Sequence, residues 1–443
     1  MSDSRPTAVA DQTEVGSYFV ANYPPFSVWS SAALPDATAA LATSGDRTVP
    51  LGLYLHIPFC RKRCHFCYFR VYTDKNSQEV GRYLDLVGRE WELYAQQAAI
   101  ADRELNFVYF GGGTPSFLST DQLDRLVKRL TSVTSWASAE EITFECEPGT
   151  LTDRKLSAIR RIGVTRLSLG VESFDDRILE INGRAHRSAE IAQAYRYARF
   201  LDFPQINIDL IAGMLGETDA NWNLSVQKAL ALEPDSITIY EMELPFNTTI
   251  SRDLMGGGGR FEDPLAGWST KRRWVQEAFE ALERAGYSVG SAYTAVKDPT
   301  RTRFLYRDRL WQGADMAGLG VASFGYVNGV HMQNLDTWEA YGSAIDRGVL
   351  PLSRAYRPTA EERMIRELVL QLKLGRVRPS YFSTKYGVDL LQRFGEQLNA
   401  LTAEGYLTAA SSEEITLSRH ALLRVDMLLP RFFLPQHAGI RYT

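Results

Sequence analysis

From Leu51 onward, short runs rich in Val, Ile, Leu, Tyr and Phe alternate with longer segments of helical period, and the alternation persists to Glu241. The pattern predicts strands at 52–57, 106–110, 141–147, 165–171, 205–211 and 236–241, with helices near 78–97, 120–130, 153–162, 189–201 and 221–232. Thr152 and Asp153 form a start signal for the third of these helices and Gly163 a stop. Strands separated by single helices require right-handed crossovers and a parallel sheet, which puts functional loops at the strands' carboxyl ends. Six repeats predict an α/β fold built on a partial (β/α)6 barrel rather than a closed eightfold one.

The flanks read differently. Within 1–50, residues 1–15 read as a frayed tail, 17–29 (SYFVANYPPFSVW) as an aromatic extension packed on the main body, and 32–46 as low complexity. The barrel is assigned 51–250, and 251–358 is expected to close it and to border a substrate pocket. In that segment Gly256 to Gly259 read as a mobile excursion, lacking the strand before and helix start behind that a phosphate cradle needs. A long helix near 269–285 follows. From 359 to 443, helices at 360–374 and 389–404, a hairpin at 406–417 and a last helix at 419–429 predict a small winged-helix-like α+β module.

The 443 residues suffice for a large core, and 45% hydrophobic with 23% charged residues exclude disordered, collagenous and coiled-coil classes. A net charge of -4 without runs of like charge removes any default case for nucleic acid or an anionic membrane as partner. No apolar stretch is long enough to span a bilayer, and the N-terminus lacks the marks of a signal peptide, so a cytoplasmic protein is expected. The oligomeric state is left open, with a monomer favoured.

Of four cysteines, Cys60, Cys64 and Cys67 crowd into eight residues, in YLHIPFCRKRCHFCYFRVYTDKN (54–76). The C-x3-C-x2-C spacing starts just past the first strand and puts three thiolates on one loop. Three thiolates can hold three irons of a [4Fe-4S] cube and leave the fourth open to a ligand. Zinc completed by His56 or His65 is the competing reading, although zinc favours paired C-x2-C knuckles or a clear fourth ligand. Three unrelated buried cysteines are the remaining one.

The segment Y-x-H-I-P-F-C-x3-C-x2-C-x-F resembles the radical SAM superfamily and, within it, the HemN-like branch, with similarity running from about Leu51 to Leu429. The resemblance implies a [4Fe-4S] cluster on Cys60, Cys64 and Cys67. It also implies S-adenosylmethionine chelating the open iron, and a reductant such as flavodoxin or ferredoxin that drives formation of a 5'-deoxyadenosyl radical. It assigns cofactor contacts to Gly111, Gly112, Gly113 and Thr114 in FGGGTPS, whose glycines allow close backbone approach, and to Glu145 in FECEPGT. Cys146 falls on the opposite strand face from Glu145 and Glu147 and reads as packed. Glu172 in GVESF stands where the family usually has Gln, Arg184 in NGRAHR would fork onto a carboxylate, and Asp209 in IDLIAG would accept ribose hydroxyls. Tyr54 is expected near the cofactor and substrate as a catalytic residue. Trp311, Gln312 and Phe324 are expected around a second S-adenosylmethionine, with Gln312 also catalytic.

The branch covers several reactions on large conjugated or tetrapyrrole-like substrates. The reading favoured from the sequence is one-carbon transfer, methylation or cyclopropanation, using two S-adenosylmethionines. The alternatives are oxygen-independent oxidative decarboxylation of coproporphyrinogen III and haem binding or delivery without catalysis. Phe69 stands where oxidases commonly carry a further cysteine, whereas Arg61, Lys62, Arg63, Arg70 and Lys75 around the loop would suit tetrapyrrole propionates.

Overall fold

Six strands rich in β-branched and aromatic residues line up in chain order as a parallel array: β1 (Leu51–Ile57), β2 (Phe107–Gly112), β3 (Glu141–Cys146), β4 (Arg166–Glu172), β5 (Gln205–Ala212) and β6 (Ser236–Glu241). The computed structural model describes residues 11–440. Parallel pairing sets Leu53 against Val108, Phe110 against Phe144 and Leu169 against Ile208, so neighbouring strands send apolar side chains to the same face. Leu53, Leu55, Ile57, Phe110, Leu167 and Ile208 are wholly buried under the crossover helices, each contributing roughly 1.5–3 kcal/mol.

The helices begin where their sequences supply caps. Asn76 and Glu79 close a capping box on Ser77–Ala95, Ser119 and Gln122 do the same for Thr120–Val133, and Thr152 caps Asp153–Arg161. That last helix stops before Gly163, whose φ of 91° favours glycine.

The segment after β6 extends the same sheet at both edges. Strands β7 (Ser288–Val289) and β8 (Thr294–Val296) add antiparallel beside β6. Strand β9 (Asp315–Leu319) pairs parallel with β1, and β10 (Phe324–Val327), β11 (Val330–Asn334) and β12 (Leu352–Tyr356) continue antiparallel from it. The result is one open twelve-stranded sheet, with a seventh parallel strand that period and propensity did not disclose. The four glycines at 256–259 end the helix Thr249–Met255, and nothing among the described residues stands within 4 Å of where side chains on Gly257, Gly258 or Gly259 would project.

A second core belongs to the C-terminal module, where β13 (Arg376–Val377), β14 (Leu407–Ala410) and β15 (Ile415–Leu417) form a three-stranded sheet against helices that include Ala360–Leu372. A helix at Pro379–Tyr386, absent from the sequence reading, lies in it. The helix expected over 389–404 breaks at Phe394, and the one over 419–429 breaks at Leu423 and Arg424.

Two expectations for the N-terminus are corrected. Residues 11–15 are docked: the backbone carbonyl and carboxylate of Asp11 accept from the N–H groups of Trp268 and Ser269, at 2.6 Å each, at the start of the helix Trp268–Arg284. The expected tail at 1–10 lies outside the described residues. The stretch read as low complexity contains the helix Leu34–Ala42, seeded by Pro35 and packed on β11 and β12. The aromatic extension spans both cores, with Val20 and Tyr23 in the C-terminal one and Phe26 and Trp29 against Phe324 beside the main sheet. Among the described residues no helix is long and apolar enough to cross a membrane.

Candidate functional site

The carboxyl ends of β1 to β6 surround a cavity of about 530 Å³. The loop carrying Cys60, Cys64 and Cys67 forms one wall, and Ser17, Tyr18, Phe19, Ala21 and residues 422–427 also line the cavity. The loop is tied down along its length. Phe59 bridges to Tyr72, the Cys60 N–H donates to the Tyr72 carbonyl at 3.1 Å, and the His65 N–H donates to the Asn182 carbonyl at 3.0 Å.

Each thiol has a defined neighbourhood. Thr114 donates its hydroxyl to Cys60 Sγ at 3.3 Å, and Arg184 Nη1 donates to Cys64 Sγ at 3.3 Å. Burial pushes the Cys60 thiol up to about 11 and the Cys67 thiol up to about 12, so without metal both hold their protons at neutral pH and iron must displace them. Arg63 steadies the turn by donating to the Cys67 carbonyl at 3.1 Å. The imidazoles are engaged elsewhere: His56 contacts the Arg70 carbonyl and Tyr54 hydroxyl, and His65 Nδ1 contacts the Ile181 carbonyl. Among the described residues no group of three His, Cys, Asp or Glu side chains is drawn together around a single ion. The chemistry of the donor set, three cavity-facing thiols on one pinned loop, fits a cluster with an open iron.

The glycines of FGGGTPS have an internal cause. A Cβ on Gly112 would stand 2.4 Å from His56 Nδ1, and one on Gly113 would stand 2.8 Å from the Ile57 carbonyl oxygen. Gly112 and Gly113 also line the cavity, whereas Gly111 faces Tyr109 and Glu145 beneath it.

Three acids project into the cavity from successive strands. Glu145 accepts from the Tyr109 hydroxyl at 2.6 Å and the Gly112 N–H at 3.2 Å; burial, with Asp209 nearby, raises it to about 7. Asp209 accepts from Ser168 and Asn207, both at 2.9 Å, and is likewise raised by burial. Glu172 follows a register shift in β4 and has a φ of 64°, a left-handed conformation uncommon for a non-glycine residue. Burial raises Glu172 to about 7 against the opposing pull of Arg184, 3.6 Å away. Arg184 therefore joins the loop to the strand ends, with Nη2 donating to the Gly170 carbonyl at 2.6 Å and Nε buried without a partner. Glu147 behaves oppositely: despite burial, hydrogen bonds from His186 and Arg61 hold it at about 2.

Several expected residues lie elsewhere. Tyr54 stacks beneath Tyr109, with ring centroids 5.8 Å apart, and Tyr109 rather than Tyr54 lines the cavity. Trp311 packs against the C-terminal core under the Arg307 guanidinium. Gln312 is exposed, and its carbonyl accepts from Tyr381 and Lys385, which fastens this turn to the C-terminal module. Phe324 stacks on Phe26 at 4.5 Å. None of Trp311, Gln312 and Phe324 reaches the cavity wall, so the three are not brought together around a second cofactor there.

Residues not singled out from the sequence complete the cavity: Arg166, Ser168, Tyr240, Glu241, Arg272 and Tyr293. Arg166 and Ser168 were accessible by counting back in twos from Gly170 and Glu172 on β4. Arg272 and Tyr293 come from beyond β6, and no local pattern marks them.

Comparison with known proteins agrees with this geometry. The radical SAM superfamily profile matches residues 54–228. The chain is 29% identical over 361 residues to the heme chaperone HemW of Bacillus subtilis, covering 81% of this chain and 93% of that one. It is 27% identical over 427 residues to the oxygen-independent coproporphyrinogen III oxidase of Pseudomonas aeruginosa, covering 92% and 91%. The fold matches the solved structure of coproporphyrinogen III oxidase (HemN) from Escherichia coli with a TM-score of 0.81 at 24% identity, over 95% of this chain and 99% of that one.

Proposed function

Because this chain is a HemN-like member of the radical SAM superfamily, we propose that it acts on a tetrapyrrole, oxidatively decarboxylating propionate side chains of a coproporphyrinogen-type substrate. The observation that carries this reading is the cavity itself, which has the three cysteines at one wall and is also lined by aromatic and charged residues from both termini. Similarity to the Pseudomonas aeruginosa oxidase over 92% of this chain supports it, and supports tetrapyrrole chemistry over the one-carbon transfer expected from the sequence.

In this reading Cys60, Cys64 and Cys67 would hold the [4Fe-4S] cluster, and Gly112, Gly113, Thr114, Glu145, Glu172, Arg184 and Asp209, which line the same cavity, would hold S-adenosylmethionine. When bound, the pair would supply a reductively generated carbon radical able to take a hydrogen atom from an unactivated carbon; loss of carbon dioxide from the resulting substrate radical then releases one electron, which a one-electron acceptor must take up. The chain positions and shields. Thr114 and Arg184 offset charge on two thiolates by donating to their sulfurs. Tyr109 orients the Glu145 carboxylate, and Asp209 is held for hydroxyl donors by Ser168 and Asn207. Residues 17–21 and 422–427 restrict solvent on the substrate side.

A second reading, haem binding and delivery, is supported by similarity covering 93% of the Bacillus subtilis heme chaperone. One experiment separates the two. Anaerobically reconstituted protein is reduced with S-adenosylmethionine and coproporphyrinogen III, and nucleosides and porphyrins are read by mass spectrometry. With a one-electron acceptor supplied, the oxidase reading expects 5'-deoxyadenosine together with vinyl products that have lost carbon dioxide; no such product, together with stoichiometric uptake of haem in a parallel titration, would replace it with the chaperone reading. Cys64→Ala should abolish both cluster absorbance and 5'-deoxyadenosine while the protein stays folded.

A further inference from the structure

The lining of the cavity includes two charged groups whose hydrogen-bonding capacity is unmet. Glu241 closes β6 and lines the cavity, and its Oε1 is buried without a partner. Arg272 lies in the first turns of the helix Trp268–Arg284 and lines the same region. Its Nη2 reaches only the Met427 thioether sulfur, at 2.8 Å, a weak acceptor, and its Nε is buried without a partner. Each group is the leading opposite charge felt by the other, yet among the described residues no ion pair joins them.

The surrounding charges are all engaged. Glu243 accepts from the hydroxyl of Ser17 and, at 3.0 Å, from the Tyr18 N–H. Asp426 accepts from the Val20 N–H at 2.8 Å, from the Tyr293 hydroxyl and from Lys373 at 2.7 Å. Lys271 donates to Thr13 and to the Met242 carbonyl, both at 2.7 Å. Among these neighbours, Glu241 and Arg272 are thus an acceptor and a donor left for something that enters the cavity. Buried polar groups are ordinarily satisfied, and an unmatched pair facing a cavity points to a ligand carrying the complementary groups. Beside them Tyr240 and Tyr293 stack with ring centroids 6.0 Å apart and an interplanar angle of 28°, presenting an aromatic surface to a flat molecule.

We propose that Glu241 and Arg272 form a receptor for a porphyrinogen, with Arg272 pairing a propionate carboxylate on the rim of the macrocycle and Glu241 accepting pyrrole N–H groups at its centre. The proposal rests on the tetrapyrrole reading and names the residues that orient the substrate within it. A guanidinium fork suits a carboxylate, a carboxylate accepts N–H donors, and a porphyrinogen carries its carboxylates at the rim and four N–H donors at the centre.

The test titrates reconstituted protein anaerobically, without S-adenosylmethionine, with coproporphyrinogen III and with its tetramethyl ester, following quenching of tryptophan fluorescence, since Trp268 lines the cavity. Arg272→Gln should weaken binding of the free acid by about tenfold or more while shifting the ester by no more than about twofold. Arg272→Lys, which keeps the charge, should recover much of the loss and guards against a folding defect. Glu241→Gln should weaken acid and ester alike, because both retain the pyrrole N–H groups. If Arg272→Gln weakens acid and ester equally, Arg272 is structural and the receptor is refuted. If the wild-type protein binds both porphyrinogens and no variant moves either by more than about twofold, the receptor is refuted while the tetrapyrrole reading stands. A wild-type protein that binds neither porphyrinogen overturns both.

Discussion

Arg184 donates to the sulfur of Cys64 through one guanidinium nitrogen, at 3.3 Å, and to the Gly170 carbonyl through the other, at 2.6 Å, so one side chain couples the cysteine loop to the end of β4. Removing it frees the loop and leaves Glu172 buried beside Glu145 and Asp209 without its counter-charge. Partners of this kind typically alter metal affinity by 10- to 100-fold. Arg184→Met is therefore expected to lower cluster retention by about tenfold or more, read as iron and sulfide per chain after gel filtration. Arg184→Lys should fall between the two, since it keeps a donor and loses the fork.

Asp426 secures the N-terminal segment to the C-terminal module. It accepts from the Val20 N–H and pairs with Lys373, whose side chain is 1% exposed. Breaking a buried pair by deleting one partner costs about 3–5 kcal/mol because the other charge stays behind. Asp426→Ala should lower unfolding free energy by that order in denaturant titrations and speed proteolysis around residues 17–22. Pairing it with Lys373→Met should restore part of the loss; no restoration would mean that the Val20 and Tyr293 contacts dominate.

Glu217, which does not line the cavity, gives a pH dependence of its own. Its carboxylate accepts from the N–H groups of Gly213 and Met214, yet burial, with Asp175 adding repulsion, raises it to about 8. The folded state then retains a proton that the unfolded chain gives up near 4.5, so stability should fall as pH rises from about 4.5 to about 8. Glu217→Gln should remove that slope. A variant with the wild-type pH profile of denaturant midpoints would assign the slope to another group.

Gln312 is exposed and away from the cavity. Gln312→Ala should leave both 5'-deoxyadenosine formation and product yield within about twofold of wild type, since surface changes away from such features are usually within about 0.5 kcal/mol. Loss of product with cleavage retained would instead restore the second-cofactor role expected for it from sequence.

The strands bearing the site were readable because each is a compact β-branched run ending in an unusual residue: Cys60 beyond β1, Glu145 on β3, Glu172 on β4 and Asp209 on β5. Strand β9 was not readable. Its sequence, DMAGL, has weak strand propensity, and its pairing with β1 overrides local preference. The helix Leu34–Ala42 was hidden by alanine-rich monotony, although alanine is the best helix former and Pro35 suits a first turn. At the site, the family resemblance points to Tyr54, six residues before Cys60, whereas packing stacks it on Tyr109, which lines the cavity. Phe19 and Met427, from opposite ends of the chain, meet at the cavity only through the packing of the two cores.

Strand β1 is flanked by β2 and β9, so one of its neighbours is made only when synthesis passes residue 319. Until then the strand leading into the cysteine loop has an open edge, and the thiols hang from an incomplete sheet. Residues 422–427, which line the cavity, emerge later still. In order of synthesis, then, the loop's second supporting strand precedes the 422–427 part of the cavity lining, whereas residues 17–21 precede both.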